Sequence, residues 1–188
     1  MIGPTAEPIR AVRLTLEPLT AGHADEMTEV LAAPELYAFI GGAPPAADEL
    51  RARYERLTAG PPAGRREGWL NWVIRLHEDH HLAGFVQATI TPATSSASGE
   101  LQAAIAWVVG AGWQGRGIAT EAAQALVGWL IEHEVSAIIA LIHPDHAASA
   151  AVARHAGLAP TADRADGEVV WKRPRHQDGE ALGVRGHY

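Results

Sequence analysis

The sequence predicts an α+β fold with a mixed, mostly antiparallel sheet of about seven strands accompanied by about four helices. This prediction comes from the order of the patterns along the chain, which is strand, two helices, three strands, helix, strand, helix and two strands. The three consecutive strands are joined by short links and are therefore antiparallel, whereas the helix after them makes one parallel step between strands four and five. We expect the 188 residues to form one domain.

Hydrophobic periodicity places each element along the chain. Strand patterns occupy Val12–Leu16, Trp69–Leu76, Leu82–Thr91, Glu100–Val109, Ser136–Ile142, Leu158–Asp163 and Glu168–Arg173. Helical spacing occupies about ten residues after the cap candidates Thr20–Asp25, and then Ala46–Leu57, Thr120–Ile131 and Ala147–Ala156. The two ends carry few core residues, so we expect a loose leader over residues 1–9 and a weakly ordered tail over residues 174–188.

The most informative stretch is Trp107–Ala119, where a buried strand pattern stops, four glycines and an arginine follow, and the longest helical pattern begins. A helix start leaves backbone N–H groups unpaired and carries the positive end of the helix dipole, so it attracts phosphate. Glycines allow a phosphate to approach the backbone closely. The stretch therefore predicts an anion-binding site at the start of the helix.

Two motifs overlap in this stretch and predict different proteins. Gly110–Gly115 fits the dinucleotide fingerprint G-x-G-x-x-G. That fingerprint needs an acidic residue about 20 positions further on, at the end of the next strand. Glu132 and Glu134 fall within the helix pattern instead, and only one more strand–helix unit follows. An NAD(P)-dependent oxidoreductase is therefore the poorer alternative.

The second motif, Gln114–Ala119, fits the pattern Q/R-x-x-G-x-G/A, and at this point the sequence resembles the GNAT family of N-acetyltransferases. The segments Trp113–Ala122, His143–Ser149 and His155–Leu158 are similar, in order and spacing, to the ribosomal-protein alanine acetyltransferase branch. Roughly residues 10–173 can be aligned with the family, the second half more closely than the first.

The resemblance implies a GNAT-like fold and acetyl-CoA as acyl donor, with direct attack of a primary amine on the thioester. It implies that the strand-four backbone holds the pantetheine arm and that the glycine-rich turn takes the pyrophosphate, helped by the charge of Arg116. It also implies that Ser149 is catalytic and returns a proton to the leaving thiolate. The implied cofactor-binding residues are Trp107, Val108, Val109, Gln114, Gly115, Arg116, Gly117, Ile118, Ala119, Thr120, His146 and Ser149.

The sequence departs from the family pattern at three positions. His146 stands where an asparagine is usual, and Ala153 and Ala104 stand where a catalytic tyrosine and glutamate are common. Ser149 could equally serve as a cap of its helix. The general base is left open, with Glu100 and His143 as candidates.

These departures keep a second function open, a module that binds acyl-CoA as a sensor without turnover. The amine acceptor is a protein N-terminus or a small molecule, and the sequence does not distinguish them. Tyr37 and Phe39 could line the acceptor pocket, although aromatic residues at such positions are more often core.

Composition narrows the class of protein. The absence of cysteine excludes disulfides and an acyl-cysteine route, and a formal net charge of −7 argues against nucleic-acid binding. The chain shows neither a membrane-spanning run nor a signal peptide, so we expect no membrane partner and a cytoplasmic location. The cluster His77–His81 is interpreted as a polar turn, so we expect no metal. A homodimer is left open.

Overall fold

The computed structural model describes residues 2–93 and 100–174. Its strands are β1 Ile9–Arg10, β2 Leu14–Pro18, β3 Gly68–Leu76, β4 Leu82–Pro92, β5 Leu101–Val109, β6 Val135–Ile142, β7 Ala159–Ala165 and β8 Glu168–Lys172. Its α-helices are α1 Ala24–Val30, α2 Tyr37–Ile40, α3 Ala47–Ala59, α4 Ile118–Glu132 and α5 Ala147–His155. Short 3-10 turns occupy Ala21–His23, Pro34–Leu36 and Ala111–Trp113.

The strands form one sheet in the order β1-β2-β3-β4-β5-β6-β8-β7. Every neighbouring pair is antiparallel except β5 and β6, which confirms the predicted parallel step. The described chain has eight strands and five α-helices, one more of each than the sequence predicts. The additional elements are the two-residue strand β1 and the single-turn helix α2, both too short to show a period.

The prediction of a loose leader over residues 1–9 is wrong at its carboxyl end. Ile9 pairs with Leu16 in the sheet and is 9% exposed. The indole N–H of Trp72 donates to the carbonyl oxygen of Glu7 at 2.8 Å, and that of Trp129 donates to the Glu7 carboxylate at 2.9 Å. Apart from Pro174, the predicted tail lies outside the described residues.

Helices cover both faces of the sheet. Successive strand residues point to opposite faces, so Trp72 and Ile74 of β3 pack in the cluster under α4, whereas Val73 packs in the cluster under α1 and α3. Leu126 contributes to the first cluster and Met27 to the second, and both are fully buried. Burying a side chain of this size stabilises the fold by roughly 1.5–3 kcal/mol. In the described ranges, no helix combines the length and apolarity needed to cross a membrane.

The parallel pair β5 and β6 separates partway along its length. The two strands pair only over Leu101–Ala104 of β5, although β5 continues to Val109 and β6 to Ile142. On its other edge, β5 remains paired with β4 along its whole length. A gap therefore opens in the sheet between the carboxyl ends of β5 and β6, and both α4 and α5 begin just beyond it.

We expect Glu7→Ala to destabilise the fold, because the substitution removes the acceptor of the buried Trp129 N–H. The free energy of unfolding should fall by about 1 kcal/mol, which lowers Tm by roughly 2–4 °C in a chain of this size. Glu55→Ala is the control, since Glu55 is exposed on α3. Equal Tm values for the two variants would show that the leader does not stabilise the sheet.

Candidate active site

A cavity of about 520 Å³ fills the gap between β5 and β6. Its main walls are β5, the glycine-rich turn and the start of α4 on one side, and the end of β6 and the first half of α5 on the other. Residues from α2, from the turn before it and from β8 also line the cavity. Of the twelve residues that the sequence assigns to cofactor binding, eleven line this cavity, and Arg116 does not. The structure thus brings together residues that lie on three separate segments of the chain.

The backbone of β5 presents alternate residues to the gap. The Gly110 N–H donates to the Ala83 carbonyl oxygen beside β4 at 2.9 Å. Because strand residues alternate and the β4–β5 register is unbroken, Val108 also directs its N–H and C=O toward β4. Trp107 and Val109 direct theirs toward the gap. The predicted segment Trp107–Val109 therefore contributes backbone groups from two of its three residues.

The side chain of Gln114 closes one side of this row of backbone groups. Its Nε2 amide donates to the Val109 carbonyl oxygen at 3.0 Å. The N–H and C=O of Trp107 and the N–H of Val109 remain directed at the cavity. Backbone amides held in this way can hydrogen-bond an extended amide-containing chain or polarise a carbonyl group.

The glycine-rich turn places a helix start against the cavity. Gly115 and Gly117 have φ values of 73° and 75°, a left-handed conformation that favours glycine, and Gly117 is the N-cap of α4. The first helical hydrogen bond runs from the Glu121 N–H to the Gly117 carbonyl at 3.1 Å. The preceding N–H groups of Ile118–Thr120 are therefore those that a helix leaves without internal acceptors. These N–H groups lie where the sequence predicts an anion site.

Arg13, which precedes β2, forms hydrogen bonds to this turn and to α4. These contacts could not be predicted from the sequence. The Arg13 Nε donates to the Glu121 carboxylate at 2.6 Å, and its backbone N–H donates to the same carboxylate at 2.7 Å. Its Nη1 donates to the Arg116 carbonyl oxygen at 3.0 Å. The Arg116 side chain points away and pairs with Glu78 at 3.3 Å, where both side chains are exposed.

His146 and Phe39 stack on each other at the cavity wall. Their ring centroids are 4.2 Å apart, and the Phe39 ring also lies 5.5 Å from that of His143. Partial burial lowers the pKa of His146 below its ordinary 6.5, and the neighbouring His143 adds to this effect. The His146 ring is therefore neutral at pH 7. Phe39 lines the cavity as considered from the sequence, whereas the Tyr37 hydroxyl donates to the Leu31 carbonyl oxygen at 3.0 Å.

Ser149 faces the cavity and is not the helix cap. The N-cap of α5 is His146, and no side chain caps this helix through a hydrogen bond. Within the described ranges the Ser149 hydroxyl has no hydrogen-bond partner. Ala153, where the family pattern has a tyrosine, is fully buried.

Besides His146 and Ser149, three side chains that line the cavity can exchange protons with a substrate, namely His143, Glu35 and Glu168. Glu35 lies in the turn before α2. Glu168 begins β8, beside the end of β6, because Val169 pairs with Ile142. The sequence missed both carboxylates, since neither the path of the α1–α2 link nor the pairing of β8 with β6 can be predicted from local patterns. Glu100, one of the predicted base candidates, does not line the cavity.

The structure does not group the predicted polar turn into a metal centre. His77 Nε2 lies 2.9 Å from the Thr15 hydroxyl. In the part of the chain that the structure describes, no three His, Asp or Glu side chains are placed to hold an ion.

Comparisons with known proteins agree with this architecture. A sheet that opens beside a glycine-rich helix start is expected of an enzyme that binds an acyl-CoA, and the family model of the acetyltransferase (GNAT) domain matches residues 13–159. The chain therefore belongs to the GNAT acetyltransferase family and is an acyltransferase that uses acetyl-CoA as donor. Family membership confirms the resemblance seen in Gln114–Ala119 and removes the oxidoreductase alternative. No curated protein matches the sequence.

Several solved structures share the fold. One is RimL, a ribosomal L7/L12 alpha-N-protein acetyltransferase in complex with coenzyme A, with 17% identity and a TM-score of 0.70 over 89% of this chain and 97% of that chain. Another is a GNAT-family acetyltransferase from Bacillus anthracis, with 20% identity and a TM-score of 0.65 over 88% and 94%. A third is an acetyltransferase from Agrobacterium tumefaciens, with 24% identity and a TM-score of 0.64 over 93% and 98%.

We expect Gly117→Asp to abolish acetyl-CoA binding. The variant places a side chain at φ 75° and a carboxylate at the helix start, where it repels phosphate. Isothermal titration should show a Kd at least about 100-fold higher, equivalent to roughly 2.7 kcal/mol.

The control for this variant is Gly64→Asp, which adds the same charge at a similar φ of 88° in an exposed loop. It should leave the affinity unchanged. Wild-type affinity in the Gly117 variant would remove the turn from the binding site.

Proposed function

We propose that this protein is an N-acetyltransferase that transfers the acetyl group of acetyl-CoA to a primary amine, either a protein N-terminus or a small molecule. One observation carries the proposal. The gap between β5 and β6 joins a helix-start anion site to a row of backbone amides and to proton-exchanging side chains in one cavity. Direct attack by an amine needs these three features together.

The residues present fit acetyl-CoA. Gly115 and Gly117 leave room beside the N–H groups of Ile118–Thr120, which suits a pyrophosphate. Trp107 and Val109 offer amide groups suited to the pantetheine arm, and His146 and Ser149 line the opposite wall. When bound, acetyl-CoA supplies the thioester that is attacked. The Arg116 side chain pairs with Glu78 and does not line the cavity, so this proposal gives its charge no direct role in binding.

The β5 backbone provides the electrostatic part of catalysis. An N–H group fixed in a strand and directed at the cavity can donate to a carbonyl oxygen that gains negative charge during attack. We assign this role to the amides of Trp107 and Val109, which the separation of β5 from β6 leaves directed at the gap. No side chain has to move to supply them.

Protons enter and leave through side chains of the same cavity. The Ser149 hydroxyl is the proposed donor to the leaving thiolate, as its cavity-facing position allows. The attacking amine must first lose a proton, because an ammonium group is not a nucleophile. Glu35 and Glu168 are the proposed acceptors of that proton, directly or through water. The sequence offered Glu100 and His143 for this role, and of these two only His143 lines the cavity.

Thiol release from acetyl-CoA in the presence of an amine panel tests the proposal. The panel should include peptides with free N-termini, amino acids and polyamines. Thiol release that depends on one of these amines is the expected result. Tight binding of acetyl-CoA without any amine-dependent release would instead favour the sensor function that Ala104 and Ala153 left open. A cytoplasmic location and a homodimer remain predictions.

Ser149→Ala should lower kcat by about tenfold or more, as loss of a proton donor does. The Kd for acetyl-CoA and Tm should stay close to wild type, because Ser149 does not cap α5. Ser149→Thr, which keeps a hydroxyl, should recover part of the rate. A lower Tm with an unchanged kcat would instead indicate a structural role.

The affinity for acetyl-CoA should depend on pH through His146. A protonated ring donates from both nitrogens and attracts phosphate, whereas a neutral ring donates from one. Because burial lowers the pKa of His146 below 6.5, affinity should increase only as the pH falls below that value and should be flat above it. His146→Asn should flatten the profile. If titrations of the two proteins give superimposable profiles, another group, such as His143, is responsible.

A further inference from the structure

A second cavity lies under α3, on the face of the sheet that α1 and α3 cover. Its volume is about 20 Å³, enough for a water molecule or one small polar group. The cavity is lined partly by apolar side chains and partly by four polar residues, Arg53, Tyr54, Asn71 and Gln87. Tyr54 is buried, Asn71 and Gln87 are half-buried and Arg53 is exposed. Within residues 2–93 and 100–174, none of these four side chains makes a hydrogen bond or an ion pair with the protein.

The Tyr54 hydroxyl is the clearest case. Tyr54 is 5% exposed, and its hydroxyl is the one buried side-chain oxygen or nitrogen without a hydrogen-bond partner in the described ranges. Buried polar groups are almost always satisfied, so an exception calls for an explanation. Burial raises the pKa of Tyr54 to about 12, against an opposing effect of the Arg53 charge. The hydroxyl is therefore a protonated donor at neutral pH and lies near a cation.

The other three polar residues complete the group. Asn71 of β3 and Gln87 of β4 are direct cross-strand partners, and their half-buried side-chain amides make no hydrogen bond within residues 2–93 and 100–174. Arg53 makes no ion pair there. The lining of the second cavity contains no acidic side chain. The cavity therefore offers several hydrogen-bond donors and one positive charge, which is carried by the exposed Arg53.

The position of this cavity connects it with the active site. Gln87 and Phe85 line the small cavity, and their cross-strand partners Ala106 and Val108 line the large one. Side chains of such partners lie about 5 Å apart. A molecule whose amine occupies the large cavity beside Ala106 can therefore extend its other end toward the small one.

We propose that Arg53, Tyr54, Asn71 and Gln87 form an acceptor subsite that binds a carboxylate. The preferred acceptors are then primary amines that carry a carboxylate a few bonds from the nitrogen. This inference rests on the proposed amine acetyltransferase function and specifies its substrate class. A carboxylate can accept hydrogen bonds from the guanidinium, the phenol and the two amides, and these donors have no acceptor within residues 2–93 and 100–174.

The test compares straight-chain ω-amino acids of increasing length with their primary amides, which have the same size but no negative charge. For at least one chain length, wild-type kcat/KM should be at least about tenfold higher for the acid than for its amide. The difference should come from a lower KM for the acid. Arg53→Gln should reduce the acid-to-amide ratio at least about fivefold. Arg56→Gln is the matched control, because Arg56 is exposed on the same helix and does not line the cavity.

Tyr54→Phe separates binding from a structural role. The variant removes a hydroxyl that has no hydrogen-bond partner among the described residues, so Tm should not fall, while KM for the acid should rise about threefold or more. A wild-type ratio near one at every length, or a ratio that Arg53→Gln and Arg56→Gln alter equally, would overturn the subsite.

Titration of the acid and the amide into CoA-loaded protein measures their binding affinities without turnover. Tighter binding of the acid than of the amide, lost in Arg53→Gln, supports the subsite even if no amine is acetylated. Absence of thiol release with every amine would then contradict the proposed reaction alone. Equal binding of acid and amide would overturn the subsite, while thiol release with other amines would leave the proposed reaction standing.

Discussion

β5 and β6 stop pairing at Ala104, and the features of the site depend on that separation. A strand inside a sheet normally satisfies both of its edges. β5 satisfies one edge with β4 and, beyond Ala104, directs the amides of Trp107 and Val109 into a gap. Because β5 and β6 are parallel, their carboxyl ends lie at the same edge of the sheet. α4 and α5 therefore both begin beside the gap, and their N-terminal residues line it.

The proposed donor site contains no arginine or lysine side chain among the described residues. Its ionisable members among these residues are two glutamates and two histidines. Unpaired N–H groups at the start of α4 have to attract the phosphates instead. Arg13 contributes indirectly, since it ties Glu121 and the Arg116 carbonyl to the beginning of β2 and so fixes the turn. This arrangement explains how a chain with a net charge of −7 can hold a polyanionic donor.

The sequence predicted the parts of the site that are formed by residues adjacent in the chain. The glycines of the turn and the helix after them follow one another directly, so pattern and structure coincide at Gln114–Thr120. Contacts between distant segments could not be predicted. Arg13 and Glu121 are 108 residues apart, and Glu168 reaches the cavity only because β8 pairs with β6. The two hydrogen bonds that Glu7 accepts from indole N–H groups could not be predicted for the same reason. Hydrophobic periodicity carries no information about which residue accepts a hydrogen bond from a distant side chain.

The side chains that line the two cavities carry opposite charge, and that asymmetry bears on how an acceptor would be oriented. Glu35 and Glu168 line the large cavity, whereas Arg53 lines the small one with donors around it. An amine that arrives protonated is drawn to the carboxylates, which are also the groups proposed to take its proton. A carboxylate on the same molecule is repelled there and attracted to Arg53. In the proposed reaction a dipolar acceptor would thus be aligned before attack, with its nitrogen beside the β5 amides, and such alignment lowers the entropic part of the barrier.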